Sequence, residues 1–262
     1  IPIGMRLEGR LDVPALQQAL GDVLQRHEAL RTVLVEHEGQ PWQQVLAWPL
    51  AALLRVQACS PDSLPSQMAA AAVHAFDLAH ELPLRATLFE LAPQDHALLL
   101  LVHHSAADGW SVGVLLQDLA QAYAARLNGS PTLPGLPVQY ADYALWQRQL
   151  LGEESDAHSL LGRQAAYWRE QLAALPAEIA LPVDRARGRS PSHAGASVTL
   201  EVPAALHAQL LRVAHDQGAT LFMVLQAGLA ALPSRLGAGT DIPIGTAIAG
   251  RTEAALDGLV GL

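Results

Sequence analysis

The feature that most constrains the fold is an apolar stretch that ends in two histidines and a short polar turn. Residues 97–102 read Ala-Leu-Leu-Leu-Leu-Val, and His103-His104 and Asp108-Gly109 follow. A run of this length is typical of a strand covered on both faces, and it is far too short to cross a bilayer. Apolar residues then recur at helical spacing until Asn128-Gly129, which is a helix stop. The stretch therefore predicts a strand, a polar turn and a helix.

The strand and the turn suggest separate roles for their polar residues. Adjacent residues on a strand point to opposite faces, so we expect His103 and His104 to differ in role, one in packing and one facing an opening. Asp108 is well placed to pair with an arginine and hold the loop. Gly109 permits the backbone angles with which a helix begins there. Free amides at that helix start can support a developing oxyanion.

Three chemistries compete for this segment, beside the alternative that both histidines are ordinary core residues. A metal site is disfavoured because no cluster of Cys or Glu completes a coordination sphere. A Ser-His-Asp triad is disfavoured because there is no Gly-x-Ser-x-Gly elbow, and Ser105 and Ser111 lie too close in sequence to His104. General base catalysis by one imidazole fits the pKa of histidine, with Asp108 as a scaffold residue.

The rest of the chain reads as a mixture of strands and helices. Alternation over Ile3–Leu7 predicts a strand, and Asp12 with Pro14 predicts the start of a helix that ends near His27. We interpret His27, among charged neighbours, as a hydrogen-bonded structural residue. Further strands are predicted at 42–45, 84–91, 198–202 and 241–248, and the strand at 84–91 should be antiparallel to the strand of the opening stretch. Further helices are predicted at 66–78, 140–146, 157–175, 203–217 and from 221. Pro233 should kink or end the helix that begins at 221.

Composition limits the function classes. The chain has 262 residues, of which 51% are hydrophobic and 16% charged, so it can bury one large core or two smaller ones. Its net charge is −9 and no cluster of Lys or Arg occurs, which argues against a nucleic acid or an anionic membrane as partner. The single cysteine, Cys59, fits a reducing compartment, and no signal peptide is visible, so we expect a cytoplasmic protein. Both ends look cut from a longer chain.

Three ordered motifs resemble the condensation domains of nonribosomal peptide synthetases. Residues 103–111, His-His-Ser-Ala-Ala-Asp-Gly-Trp-Ser, look like that family's HHxxxDG core motif with its frequent Trp-Ser extension. Residues 26–32 match the upstream RHExLRT motif, and residues 140–146 match YxDYAxW. Similar segments occur at Tyr167-Trp168, at 181–185, and at 244–246 with 249–251. HHxxxDG is shared with other acyltransferases, but the three motifs in order are specific.

The resemblance implies a mixed α/β, or α+β, fold of two lobes similar to chloramphenicol acetyltransferase, with a largely antiparallel mixed sheet and a tunnel at their junction. We expect the first lobe at 1–180, a linker at 181–195 and part of the second lobe at 196–262. A donor acyl thioester and an acceptor aminoacyl thioester would enter on the phosphopantetheine arms of two peptidyl carrier protein domains, beside a neighbouring adenylation domain. The domain itself would bind no cofactor and no metal.

The resemblance also implies site roles. His104 would face the tunnel as general base or as a positioner of the attacking amine, His103, Asp108 and Gly109 would support the site, and Trp110 and Ser111 would line the tunnel. An arginine near Asp108 would come from a family motif that should lie before residue 1. The alternatives are an epimerisation domain, disfavoured by Trp110, and a non-catalytic domain that only docks carrier proteins or a partner enzyme, disfavoured by the intact motif.

Overall fold

The computed structural model describes residues 1–47, 53–130, 133–176, 178–185, 195–248, 250–251 and 253–262. The chain divides into two compact units, one made of Ile1–Gly152 with Ala249–Leu262 and the other of Glu153–Ile248. These units are not the lobes expected from the sequence, whose boundaries stay a prediction. Most of the expected linker, residues 186–194, lies outside the described residues.

The first unit contains six strands and four helices among its described residues. The strands are β1 (Pro2–Glu8), β2 (Thr32–His37), β3 (Gln40–Val45), β4 (Leu54–Ala58), β5 (Leu84–Ala92) and β6 (Asp95–Val102). The helices are α1 (Val13–Arg26), α2 (Leu64–Ala72), α3 (Gly109–Asn128) and α4 (Tyr140–Leu151), with short 3-10 helices at Glu28–Arg31 and Ala254–Leu256.

The strands form a four-stranded mixed sheet and a separate hairpin. The order in the sheet is β1-β6-β5-β4, in which β6 is antiparallel to both neighbours and β4 is parallel to β5. Strands β2 and β3 form the hairpin. The predicted antiparallel pairing of β5 with β6 is confirmed, and so is the mixed fold with antiparallel pairing dominant. Strand β4 was missed, although its five residues, Leu-Arg-Val-Gln-Ala, alternate between apolar and polar side chains.

Helices cover both faces of this sheet, which explains the continuous apolar sequence of β6. On one face, leucines of β5 and β6 form the main core with the apolar stripes of α1 and α3. On the other face, Phe89 and Leu99 form a smaller cluster with Cys59 and residues of α2. The strand that leads to the paired histidines is thus held in a packed layer between helices.

The predicted helix signals of this unit act as expected. The Asp12 carboxylate accepts a hydrogen bond of 2.8 Å from the Ala15 N–H at the start of α1. Helix α3 ends at Gly129, whose φ of +63° lies in the left-handed region. Helix α2 is shorter than the predicted range 66–78 and ends at Ala72.

The second unit contains α5 (Leu160–Gln171), α6 (Ala204–Asp216) and α7 (Leu221–Pro233), followed by a π-helix over Ser234–Ala238. The early helix end predicted at Pro233 is confirmed. The predicted strands at 198–202 and 241–248 are wrong for the described residues, because neither segment is hydrogen-bonded to a neighbouring strand. Apolar alternation alone does not make a strand without a partner.

One stretch of the second unit, Leu221–Ala238, has the length and composition of a membrane-crossing helix, with a mean hydropathy of 1.3. Such a match is weak by itself, and the α-helix within the stretch ends at Pro233, before Gly237 adopts a φ of +92°. A continuous helix of about 20 residues is what a bilayer requires.

Candidate active site

The paired histidines lie in the turn that joins β6 to α3, not on the strand itself. Strand β6 ends at Val102, and the turn that follows is closed by a 3.0 Å hydrogen bond from the Ala106 N–H to the His103 carbonyl oxygen. The sequence prediction placed both histidines on the strand, and this is wrong, because the strand ends before them. The two imidazoles differ instead in their surroundings within the turn.

The His103 imidazole has two described neighbours, Ser105 and Phe76. Its Nδ1 accepts a hydrogen bond of 3.1 Å from the Ser105 N–H and lies 2.8 Å from the Ser105 hydroxyl. The ring of Phe76 packs edge-on against it, with the ring centres 5.6 Å apart. Because Nδ1 accepts from a backbone amide, the neutral imidazole carries its proton on Nε2.

His104 is exposed to solvent in the same turn, and its imidazole makes no hydrogen bond to any residue that the structure describes. Both nitrogens of the His104 imidazole are therefore available to a ligand, whereas Nδ1 of His103 is occupied by Ser105. The geometry thus distinguishes the two histidines in the sense that the family resemblance implied. The roles of both remain a proposal.

Asp108 caps helix α3. Its Oδ1 accepts a hydrogen bond of 2.8 Å from the Ser111 N–H and another of 2.6 Å from the Ser111 hydroxyl. This cap satisfies one of the amides at the helix start, while the N–H groups of Gly109 and Trp110 have no acceptor among the described residues. Two amides at the same helix start remain available to an oxyanion.

Gly109 has a different basis from the expected one. Its φ is not positive, so the backbone at this position does not require glycine. A Cβ added there would meet no described atom within 4 Å. A side chain at this position would therefore fill open space beside the helix start, and it would cause no backbone strain.

The partner of Asp108 is Arg251. The guanidinium donates to Asp108 Oδ2 over 2.6 Å and to Oδ1 over 3.3 Å, and the arginine side chain is only 5% exposed. The expected ion pair is thus present, and its arginine comes from the other end of the given sequence. Sequence reasoning missed this residue, although 249–251 had been noted as a segment similar to the family.

Ser111 belongs to the same hydrogen-bond network as Asp108 and Arg251. Its hydroxyl is fully buried, lies 2.9 Å from the Gly261 carbonyl oxygen and accepts a 3.1 Å hydrogen bond from the Gly261 N–H. Arg251 also donates to that carbonyl over 3.1 Å. A buried, fully bonded hydroxyl does not line an open surface in the described chain, so the structure places Ser111 with the support of the site.

Trp110 is half exposed, and its indole N–H donates to the Asp257 carbonyl oxygen over 3.1 Å. Of the two residues expected to line a tunnel, it is the one that the structure leaves open to solvent.

Burial alone raises the pKa of the Asp108 carboxyl. The hydrogen bonds from Arg251 and Ser111, with the positive charge of Arg251, outweigh burial and lower that pKa below its ordinary value of 3.8. The carboxylate is therefore ionised throughout the neutral range, as an anchor for a buried guanidinium must be.

His27 is the other histidine singled out in the sequence, and it makes no hydrogen bond to the turn. It is buried, and its Nε2 lies 2.6 Å from Asp118 Oδ2, to which the Arg26 Nε also comes within 2.9 Å. The pair connects the end of α1 to the middle of α3. The interpretation of His27 as a hydrogen-bonded structural residue agrees with this geometry.

No group of three or more His, Cys, Asp or Glu side chains that could hold a metal ion occurs among the residues that the structure describes. Cys59 is free and buried in the cluster under α2.

The comparisons with known proteins agree with the fold and the motifs. The family model for the condensation domain matches residues 1–262, and the chain belongs to that family. Among curated relatives, it is 54% identical to a probable nonribosomal peptide synthetase of Salinispora arenicola (strain CNS-205) over 99% of this chain. It is 48% identical to a dimodular nonribosomal peptide synthase of Bacillus subtilis (strain 168) over all of this chain.

These relatives are much longer, since the chain spans 3% of the first and 11% of the second.

Among solved structures, a complex of the X-domain and OxyB from teicoplanin biosynthesis matches with a TM-score of 0.89 and 37% identity, covering all of this chain and 57% of that one. The first condensation domain of the calcium-dependent antibiotic synthetase matches with a TM-score of 0.77 over 99% of this chain and 61% of that one; at 23% identity, this match shows the fold alone.

Proposed function

We propose that the chain belongs to a condensation domain that forms peptide bonds in a nonribosomal peptide synthetase, with His104 acting on the attacking amine. The observation that supports this most directly is the turn after β6, where the imidazole of His104 is exposed and has no partner among the described residues. It lies beside a helix start that the Asp108–Arg251 ion pair holds. Membership of the family supplies the reaction class.

In the proposed reaction, the acceptor α-amine attacks the donor thioester carbonyl carbon, a C–N bond forms and the C–S bond breaks. The donor carrier leaves as a thiol, and the amine loses one proton. His104 accepts that proton or, where the amine is already neutral, holds its N–H in line for attack. The N–H groups of Gly109 and Trp110 at the start of α3 are suited to stabilise the oxyanion of the tetrahedral intermediate.

The proposed substrates are carried on phosphopantetheine arms of a donor and an acceptor carrier protein domain, with an adenylation domain as neighbour, and no cofactor is needed for the bond exchange itself. The names of the curated relatives, which are nonribosomal peptide synthetases, support this arrangement. We infer a cytoplasmic location, since the only cysteine of the chain is free.

A condensation assay with the intact synthetase tests the proposal. Donor and acceptor carrier domains are loaded, and peptide formation is compared between wild type, His104→Ala and His207→Ala, which removes an exposed histidine of α6 as a matched control. General acid–base groups contribute about 10²- to 10⁴-fold, so His104→Ala should lose at least about 100-fold while His207→Ala keeps full activity. Full peptide formation by His104→Ala would exclude the assigned role.

The match to the X-domain complex favours a second candidate, recruitment of a partner protein without catalysis. Under this alternative the wild-type protein forms no peptide although both carriers are loaded. Racemisation of a carrier-bound residue without peptide formation would instead select an epimerisation domain.

A further inference from the structure

Helix α2 covers its sheet face only in part, and a hollow lies beside it. The helix ends at Ala72, and its side chains pack near Phe89 and Leu99, towards one end of β5 and β6. Beyond the helix end, Val73 is 80% exposed, and a hollow of about 240 Å³ opens over the strands. Its lining residues are Arg55, Gln57, His74, Arg85, Thr87 and Leu101, with small residues of α2.

Two arginines face this hollow from neighbouring strands. Arg55 of β4 is opposite Thr87 of β5 in the parallel register, and Arg85 is two residues before Thr87 on the same face. Both guanidinium groups also line an adjoining hollow of about 330 Å³. The sheet therefore directs two cationic side chains to one place.

Only one carboxylate accompanies them among the described residues. Glu81 accepts from Arg85 over 3.1 Å, lies 2.8 Å from His74 Nε2 and accepts from the Asp77 N–H over 2.7 Å. Both of its oxygens are thus in use. Arg55 forms no ion pair or hydrogen bond with any residue that the structure describes.

The lining of the hollow therefore carries a net positive charge, although the net charge of the chain is −9. Glu81 compensates the charge of Arg85, whereas the charge of Arg55 on the adjacent strand has no counter-ion among the described residues, and an added anion would reduce the repulsion between the two like charges. The planar guanidinium groups match the oxygens of phosphate in paired hydrogen bonds. The Thr87 hydroxyl adds a neutral group suited to a remaining oxygen, whereas the Gln57 amide nitrogen already donates one hydrogen bond of 2.9 Å to Gln67 Oε1.

We propose that this hollow binds a phosphate group, held between Arg55 and Arg85 on the face of the sheet beyond α2. The ring of Phe76 packs against both His74 of this hollow and His103, but the proposal uses no residue assigned to the condensation chemistry and does not depend on that chemistry. The phosphate belongs either to the free ion or to an ester of a larger ligand.

Hydrogen exchange measured by mass spectrometry on the intact protein tests this proposal. Inorganic phosphate, glycerol 2-phosphate, acetate and chloride are compared at equal ionic strength, with exchange followed in peptides that cover β4 and residues 73–87. Phosphate should slow exchange there in wild type. Arg55→Gln should weaken the apparent affinity at least about ten-fold, since it removes charge-assisted hydrogen bonds.

Arg10→Gln is the matched control, because Arg10 is also exposed and without a described partner. It should leave phosphate binding unchanged. Tighter binding of the ester than of the free ion would assign the site to a phosphorylated ligand, and the reverse to phosphate itself. Protection no greater than with chloride, equal protection by acetate, or equal loss in both variants would overturn the proposal.

Discussion

Separating the Asp108–Arg251 ion pair should destabilise the first unit in an asymmetric way. Asp108→Asn keeps an oxygen that can cap α3 but leaves the guanidinium of Arg251, 5% exposed, without its counter-ion. Removing one partner of a buried ion pair typically costs about 3–5 kcal/mol. Arg251→Met leaves Asp108, which is 19% exposed and still bonded to Ser111, so we expect a smaller loss of about 1–3 kcal/mol.

A double-mutant cycle measures the interaction directly. Free energies of unfolding are obtained by denaturant titration for wild type, both single variants and Asp108→Asn/Arg251→Met. The double variant should be destabilised by less than the sum of the single losses, with a coupling of about 1–3 kcal/mol. The reason is that, once Asp108 is neutral, removal of Arg251 also removes an unpaired buried charge.

The ion pair between Asp22 of α1 and Arg126 of α3 provides the control cycle. Its arginine is 34% exposed although its carboxylate is only 6% exposed, so solvent screens this pair in part and the coupling should be smaller than for Asp108 and Arg251. Additive losses at Asp108 and Arg251, within about 0.5 kcal/mol, would refute the reasoning that this pair holds the helix start. So would normal folding of Asp108→Asn with no change in hydrogen exchange at the beginning of α3.

Four further outcomes are expected. The Asp108 pKa is lowered in the folded state, so the stabilisation that this carboxylate gives is present above about pH 4 and is lost as the pH falls through the folded pKa. Free energies of unfolding measured against pH should therefore converge for wild type and Arg251→Met at low pH. A difference that stays constant with pH would contradict this. Ser111→Ala should cost about 1–3 kcal/mol in a denaturant titration, because the Gly261 amide loses its buried acceptor, whereas Ser111→Thr, if its hydroxyl keeps the same place, should cost less. Phe89→Ala should cost about 3–5 kcal/mol through a cavity in the core under α2, and a loss below 1 kcal/mol would show that this cluster collapses to fill it. Gly129→Ala should cost about 1 kcal/mol because of the left-handed φ of +63°, and unchanged thermal unfolding would show that α3 ends in another way.

Elements that carry local signals could be predicted from the sequence. The pairing of β5 with β6 follows from two apolar runs joined by a tight turn, and the ends of α3 follow from Asp108 and Gly129, whose side-chain cap and left-handed backbone act within a single turn of helix. In each case the residue that gives the signal also makes the stabilising contact.

Features that depend on distant partners were missed or misjudged. Arg251 pairs with a residue 143 positions away, and nothing in the local sequence marks it as the partner of Asp108. The strands predicted at 198–202 and 241–248 have suitable residues but no neighbouring strand among those described. His103 and His104 were placed on the strand because apolar periodicity does not show where the last ladder hydrogen bond lies.

The separation between Asp108 and Arg251 also sets an order of events during synthesis. A ribosome adds about 5–20 residues per second, so the 143 positions between the two correspond to roughly 7–30 s. When that interval begins, α1 and β6 have been synthesised, and α3 is completed early within it, because α3 ends at Asn128. Asp108 at the start of α3, however, has no counter-ion until Arg251 has been synthesised. The part of the molecule proposed to carry the chemistry is thus among the last places in the first unit to reach its final form on the nascent chain.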